Sequence, residues 1–174
     1  VTTYQYDANL RLTSEKDALN QTASYVYDAA NNRIQATDRR ASVTQYAYDA
    51  RGNTTTITNA LSAVNVFTYD GRNNLLTETD PLTRTTTYAY DVRSNLTRRA
   101  GPPTPECGGA GCITTWAYDS YGQMLGTTDS RGNVTRYGYN NYGYRTAITD
   151  ALGAATTFIY DTAGRKLSES DLEQ

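Results

Sequence analysis

The chain has 174 residues, a formal net charge of −2 and no histidine. The length suits one ordinary domain, and the charge argues against a nucleic-acid surface, which needs a basic patch. Without histidine, Ser-His-Asp triads, Cys-His pairs and histidine-metal centres are excluded. No apolar run reaches the roughly 18 residues of a membrane span, so no span is expected.

A Tyr-Asp pair recurs along the whole chain at a spacing of 21 residues. One interval, from Tyr90 to Tyr118, is 28 residues long and holds a seven-residue insertion. A fixed period of this length is typical of a repeat architecture. Asn140 replaces the aspartate in one repeat, and the tyrosines of the column are Tyr6, Tyr27, Tyr48, Tyr69, Tyr90, Tyr118, Tyr139 and Tyr160.

Each repeat contains two predicted tight turns. Aspartate at the first position and glycine at the fourth favour a type I turn, in which the carboxylate binds backbone amides. Glycine also adopts the positive φ that returns the chain to a strand. The first turn follows the tyrosine directly, and the second begins 11 residues after it. The predicted turn residues are Asp49, Gly52, Asp119, Gly122, Asp129, Gly132, Asp150, Gly153, Asp161 and Gly164.

Some repeats lack glycine at the fourth position of the first turn. Asn31 and Asn73 fit that position, because asparagine tolerates the left-handed region. Leu10 and Ser94 do not fit it, so these two turns are predicted to differ from the others. A last turn is predicted to begin at Asp171.

An aromatic residue stands two positions before each tyrosine of the column. Because strand side chains alternate between faces, both rings lie on the same face. We expect the tyrosines to form a cross-strand ladder whose neighbouring members lie two strands apart, roughly 10 Å. The predicted ladder comprises Tyr27, Tyr48, Tyr69, Tyr90, Tyr118, Tyr139 and Tyr160.

The repeats predict an all-β protein in which tandem 21-residue hairpins form a long antiparallel meander. About sixteen strands exceed what an open twisted sheet holds without curling, so a spiral sheet or part of a large shell or barrel is expected. Apolar and polar residues alternate only weakly in the second strand of each repeat, which leaves two interpretations open. The sheet has either one solvated face over a thin core, or water or soft cargo on both of its faces. We interpret residues 1–174 as a single array within a longer chain, with a loop insertion at 100–112.

The repeat reads Tyr-Asp-x-x-Gly-Asn and then Thr-Asp-x-x-Gly-x-x-Thr-x-Tyr-x-Tyr-Asp, matched for example at Gly52-Asn53 and at Thr128-Asp129. This pattern resembles the RHS/YD-repeat family over essentially the whole chain. The resemblance implies a β-shell, as in bacterial RHS toxins, the cocoon component of insecticidal toxin complexes and the YD shell of teneurins. In bacterial members the shell encapsulates a C-terminal toxin. This sequence lacks the family's plug motif and self-cleavage site, so cargo and processing are not assigned.

The insertion contains the two cysteines, Cys107 and Cys112. Two cysteines are two ligands short of a zinc site. The glycines between them allow a tight loop, which favours a disulfide in a projecting loop and an oxidising compartment. Two free thiols are the alternative.

Aromatic and acidic residues are the remaining candidates for chemistry. The carboxylates lie at the starts of turns, so we interpret them as turn caps. We expect no catalytic pair of carboxylates, no metal site and no cofactor. Exposed aromatic rings can stack on sugars, whereas the ladder itself is better interpreted as holding the sheet together. In or beside turns, off the ladder, lie the possible sugar contacts Tyr121, Tyr142 and Tyr144.

The sequence therefore predicts a non-enzymatic shell segment, secreted or at the cell surface and of bacterial origin. Its expected partners are the remainder of its own chain and an encapsulated polypeptide. Open strand edges also predict edge-to-edge self-association. The alternative function is a cell-surface adhesion or carbohydrate-binding module, and no nucleic-acid partner is expected.

Overall fold

The computed structural model describes residues 1–107 and 111–172. By its internal contacts the chain divides into two compact units, Val1–Thr85 and Thr86–Gln174. The strands up to residue 79 are β1 (Thr3–Tyr6), β2 (Leu12–Lys16), β3 (Thr22–Tyr27), β4 (Arg33–Thr37), β5 (Val43–Tyr48), β6 (Thr54–Thr58), β7 (Val64–Tyr69) and β8 (Leu75–Thr79). Those that follow are β9 (Thr85–Tyr90), β10 (Leu96–Gly101), β11 (Cys112–Tyr118), β12 (Met124–Thr128), β13 (Val134–Tyr139), β14 (Arg145–Thr149), β15 (Ala155–Tyr160) and β16 (Lys166–Leu172). A short 3-10 turn, Pro105–Cys107, precedes β11.

Within each unit the strands pair in chain order and always antiparallel. β1 to β8 form a meander in the first unit. β9 to β16 form a second meander with the same construction. The predicted all-β fold of tandem antiparallel hairpins is confirmed.

The tight connections between consecutive strands share one five-residue geometry. In the turn at Asp49, the amide of Gly52 donates to the carbonyl of Asp49 at 3.1 Å, and the amide of Asp49 donates to the carbonyl of Asn53 at 2.9 Å. Gly52 has a φ of 84°. This is a type I turn followed by a left-handed residue. The extra residue shifts the pairing register between Ala47 and Tyr48. The other predicted turn glycines also have positive φ, namely Gly122, Gly132, Gly153 and Gly164.

The turns that contain Leu10 and Ser94 have this same geometry, so the prediction that they differ is wrong. Their φ angles are 61° and 65°, and their amides donate to the carbonyls of Asp7 and Asp91 at 3.0 and 3.1 Å. A left-handed residue with a side chain costs roughly 1–2 kcal/mol. The aspartate carboxylate offsets this cost by accepting two backbone amides in each turn.

The turn predicted at Asp171 is also wrong. Asp171 lies inside β16 and pairs with Thr156 of β15, whose hydroxyl donates to its carboxylate at 2.7 Å. β16 stays extended because β15 pairs with it from Tyr160 to Ala155.

Neither unit has a packed core. Among the described residues, Ala23 is the buried apolar side chain and Thr86 the buried polar one, with 6% and 8% of their surface exposed. The sheet of each unit is a single layer of strands, so both of its faces are accessible. Of the two interpretations of the strand pattern, the structure favours the wall with two accessible faces. Its stability depends on strand hydrogen bonds, turns and ring contacts.

Both meanders are open sheets in the described part of the chain. Within the first unit β1 pairs with β2 and not with β8, and within the second β16 pairs with β15 and not with β9. The strands of one unit therefore do not close on themselves. The predicted curling stays a prediction for a longer array.

Candidate functional site

The tyrosine column ties neighbouring strands together through its hydroxyl groups. The hydroxyl of Tyr139, at the end of β13, donates to the carbonyl of Met124, at the start of β12, at 3.0 Å. Four other tyrosines bind the carbonyl of the residue 15 positions earlier at 2.9–3.0 Å, namely Tyr27, Tyr48, Tyr69 and Tyr160. Each bond closes the hairpin end that lies opposite its turn. Tyr90 and Tyr118 continue the column at the ends of β9 and β11.

Each turn aspartate caps its own turn. One carboxylate oxygen of Asp49 accepts the amides of Arg51 and Asn53, both at 2.9 Å. The other oxygen accepts the side-chain amide of Asn53 at 3.0 Å. The Asn53 side chain and these backbone amides hold the pKa of Asp49 below its ordinary value of 3.8. Arginine takes the place of asparagine in three turns, at Arg11, Arg84 and Arg165.

The residue four positions after the aspartate is thus a functional part of the turn that the prediction missed. The signal is visible in the sequence as asparagine or arginine at this position in eight of the turns. Only the structure shows that these asparagine and arginine side chains bind the second carboxylate oxygen.

On the aromatic face, cations lie between the rings of successive repeats. The guanidinium of Arg33 lies 5.5 Å from the ring centre of Tyr25 and 5.3 Å from that of Tyr46. Arg145 has the same position between two rings of the second unit. Such contacts contribute about 0.5–1 kcal/mol each at exposed sites. The flanking rings belong to the aromatic column two positions before the tyrosine column.

The two faces of the first unit differ in chemistry. Tyr25 and Tyr27 lie on one face, and Val26 between them lies on the other. On this second face, Val64 and Val66 are 37% and 40% exposed. One face is therefore aromatic with intercalated cations. Along β5 and β7 the other face carries small or uncharged side chains, namely Val43, Gln45, Ala47, Val64, Val66 and Thr68.

Cys107 and Cys112 form the disulfide that the sequence favours, with their Cα atoms 5.1 Å apart. Residues 108–110 of the insertion lie outside the described part of the chain. Beside the bridge the strand pairing continues, since Gly101 of β10 pairs with Cys112 of β11. The bridge therefore joins the 3-10 turn to the first residue of β11.

The three possible sugar contacts differ in their surroundings. Tyr121 and Tyr142 occupy the third position of successive first turns and are 87% and 82% exposed. They border an open cleft of about 680 Å³ in the second unit. Tyr144 instead stacks on Tyr160, with ring centres 5.2 Å apart, and its ring lies against Gly164. The ring of Tyr144 is thus packed against its neighbours, whereas the rings of Tyr121 and Tyr142 are exposed.

Residues 1–107 and 111–172 contain no group of three His, Cys, Asp or Glu side chains that is arranged to hold a metal ion. The turn aspartates each bind their own backbone. Over the same described ranges, no helix has the length and apolarity that crossing a membrane requires.

A model of the teneurin YD-shell family matches residues 1–172. The chain belongs to the teneurin YD-shell family. The match spans both units, so the hairpin array of this YD-shell chain is a structural shell module. A comparison with curated proteins finds no match.

Solved structures of toxin-complex proteins share the fold of this YD-shell chain. It is similar to the TcdB2-TccC3-Cdc42 structure, with a TM-score of 0.76 and 16% identity over 98% of this chain and 10% of that one. For TcdB2-TccC3 without its hypervariable C-terminal region, the values are 0.75 and 17% over 98% and 10%. For a TccC3 mutant in the Photorhabdus luminescens Tc holotoxin pore they are 0.54 and 13% over 99% and 13%. The YD-shell chain spans about a tenth of the length of the first two.

Proposed function

We propose that this YD-shell array is one segment of a longer wall that encloses a polypeptide cargo. The single observation that carries the proposal is the single-layer construction, with sixteen strands and no packed core in the described residues. A sheet of many strands encloses space when it curls. An array without a core of its own is suited to form a boundary.

The uniform use of the polar side chains supports a structural role without catalysis. Asp49 and Asp70 each place both carboxylate oxygens on groups of their own turn. The ladder tyrosines place their hydroxyls on backbone carbonyls of the neighbouring strand. The repeating groups that could perform chemistry are thus used to hold the wall together.

Similarity to the TcdB2-TccC3 structures supports the choice of cargo. One of these is a form without a hypervariable C-terminal region, and another belongs to a holotoxin pore. By analogy, the cargo here is a segment of the same full-length protein. The disulfide between Cys107 and Cys112 suits a secreted or cell-surface protein.

Electron microscopy of the full-length protein tests the proposal. We expect a hollow shell whose wall contains this array, with internal density that disappears when the cargo segment is deleted. A shell without internal density in the intact protein, or an open sheet, would contradict it.

A further inference from the structure

The insertion between β10 and β11 places a disulfide near the surface of the second unit. Cys107 ends the 3-10 turn and Cys112 begins β11, and both residues are half-buried. The residues that lead up to the bridge on the side of the 3-10 turn, Thr104, Pro105 and Glu106, are exposed. The two sulfurs are therefore within reach of a small reagent in the solvent.

The loop that the bridge closes is short, since the two cysteines are separated by 5 positions in the sequence. A bridge restricts the unfolded chain less as its loop becomes shorter, so it stabilises the fold less. By thermodynamic linkage, the fold protects the bridge from reduction by the same free energy that the bridge adds to the fold. Folding therefore protects this bridge less than it would protect one that joined distant strands.

A hydroxyl group lies beside both sulfurs. The Oγ1 atom of Thr104 is 3.4 Å from Sγ of Cys107 and 3.4 Å from Sγ of Cys112. Its O–H group is in place to donate to whichever sulfur becomes a thiolate, and such a bond stabilises the negative charge.

A cation lies beside Cys112 as well. Arg99 and Gly101 share one face of β10, and Gly101 pairs with Cys112 of β11. A Cβ placed on Gly101 would lie 3.7 Å from the Cβ of Cys112 and 3.9 Å from a guanidinium nitrogen of Arg99. The guanidinium and Cys112 are thus neighbours on the same face of the sheet.

These surroundings make Cys112 the better leaving group of the two cysteines. The positive charge of Arg99 favours a thiolate on Cys112. Glu106 directly precedes Cys107 in the chain, and its negative charge disfavours a thiolate there. Because exchange is faster when the leaving sulfur forms the more stable thiolate, attack on Cys107 is the favoured direction.

We propose that the bridge between Cys107 and Cys112 is a thiol-exchange site, which opens in a reducing compartment and releases the 3-10 turn from β11. The thiolate of glutathione or a similar small thiol attacks Sγ of Cys107 and forms a mixed disulfide. The S–S bond of the protein breaks, and Cys112 leaves with the electron pair as a thiolate. A second glutathione thiolate attacks the glutathione sulfur of the mixed disulfide, so that Cys107 also leaves as a thiolate. Both cysteines take up protons, and the products are two protein thiols and one oxidised glutathione.

Opening the bridge changes the insertion and leaves the sheet intact. β10 and β11 pair from Arg98 to Gly101 through their backbones, independently of the sulfurs. The 3-10 turn retains the bond from the amide of Cys107 to the carbonyl of Thr104, at 3.1 Å. Reduction removes the covalent link between this turn and the strand. This inference goes beyond the proposed wall, since it requires no cargo.

Reduction of the whole, folded chain in graded glutathione buffers tests the proposal. Alkylation with a maleimide after an acid quench counts the protein thiols, and circular dichroism shows that the chain stays folded. We expect two thiols to appear in millimolar reduced glutathione without urea, at a rate within about tenfold of the rate for the chain unfolded in urea. A bridge that resists glutathione until urea unfolds the chain overturns the proposal.

Substitutions beside the sulfurs test the assigned chemistry. Arg99→Gln and Thr104→Val each remove a group that stabilises the leaving thiolate, so each slows the reduction by about threefold. Thr104→Ser keeps the hydroxyl and restores the rate. Arg98→Gln is the matched control, because Arg98 lies on the opposite face of β10 and pairs with Thr115. This control is reduced as fast as the unchanged chain. Unchanged rates in both Arg99→Gln and Thr104→Val overturn the proposal.

Cleavage by a glutamate-specific protease measures the release of the 3-10 turn. Glu106 is exposed in this turn, whereas Glu15 and Glu78 lie inside β2 and β8. We expect reduction to speed cleavage after Glu106 and to leave cleavage after the two strand residues unchanged. Cleavage after Glu106 that is equally fast in the oxidised and the reduced chain overturns the proposed release.

Discussion

The hydroxyl of Tyr139 donates to the backbone carbonyl of Met124 on the neighbouring strand, 3.0 Å away. The bond lies at the end of the β12–β13 hairpin that has no turn, so it holds together two strand ends that the chain does not connect. The same bond recurs in four other repeats. In a sheet without a packed core, such repeated bonds oppose fraying of the strand ends.

Tyr139→Phe should lower the free energy of unfolding by about 1 kcal/mol, because it removes one hydrogen bond and retains the ring. Tyr121→Phe is the control, since Tyr121 is 87% exposed. Its loss of a hydroxyl should change the stability by less than about 0.5 kcal/mol. Urea denaturation of both variants measures the difference, and equal effects would show that the bond to Met124 does not stabilise the hairpin.

Acid should destabilise the array through its turn aspartates. The Asn74 side chain, followed by backbone amides, holds the pKa of Asp70 below its ordinary value of 3.8. Because the folded pKa lies below the unfolded one, the stabilisation is complete above the unfolded value and is lost as the pH falls through the folded value. We therefore expect unfolding by urea to become easier below about pH 4.

The variant Asp70→Asn should make this decline with pH shallower. Asparagine caps a turn without titrating, as Asn140 does through its side-chain oxygen. The measurement is the urea midpoint as a function of pH for the two chains. Parallel curves would mean that Asp70 makes no contribution to the acid sensitivity.

Two turn glycines should respond differently to alanine. Gly132 has a φ of 85° and open space around its Cα, so Gly132→Ala costs only the left-handed strain of about 1 kcal/mol. Gly164 has a φ of 79°, and a Cβ there would also overlap the Tyr144 ring. Gly164→Ala should therefore cost more. Gly71→Ala is the control, because Gly71 has open space and no positive φ.

Thermal or urea unfolding of the three alanine variants checks this order of effects. The order expected is Gly164, then Gly132, then Gly71. A Gly164→Ala chain as stable as Gly132→Ala would show that Tyr144 moves aside without loss.

Replacing both Cys107 and Cys112 by serine should lower the free energy of unfolding by about 2 kcal/mol, as expected for a short closed loop. The hairpin register should not change, because Gly101 and Ala100 pair with β11 independently of the bridge. Hydrogen exchange of the β10 and β11 amides checks the register. Thiol titration of the unfolded, unreduced chain checks the bond, and two reactive thiols would refute it.

The period of the sequence was sufficient to predict the order of the strands and the place of nearly every turn. Asp49 and Gly52 illustrate why: turn chemistry is local, and a short motif determines it. The prediction failed at Leu10 and Ser94, because it treated glycine or asparagine as a requirement for positive φ. The hydrogen bonds of the aspartate carboxylate are enough to hold other residues there.

Contacts between repeats were harder to predict than the turns. The position of Arg33 between two rings depends on the register of three neighbouring strands. Tyr144 is packed, unlike Tyr121 and Tyr142, because its ring stacks against Tyr160 in the next hairpin. The repeat period predicts a turn at Asp171, but this residue stays in an extended strand because it pairs with β15.

The central claim is that the array forms a wall around a polypeptide, and limited proteolysis of the full-length protein tests it most directly. The intact protein is compared with the variant Arg136→Pro, in which proline breaks strand pairing in the middle of β13. We predict that the cargo segment of the intact protein resists protease and that the same segment of the variant is digested. Equal digestion of the segment in both proteins would contradict the account.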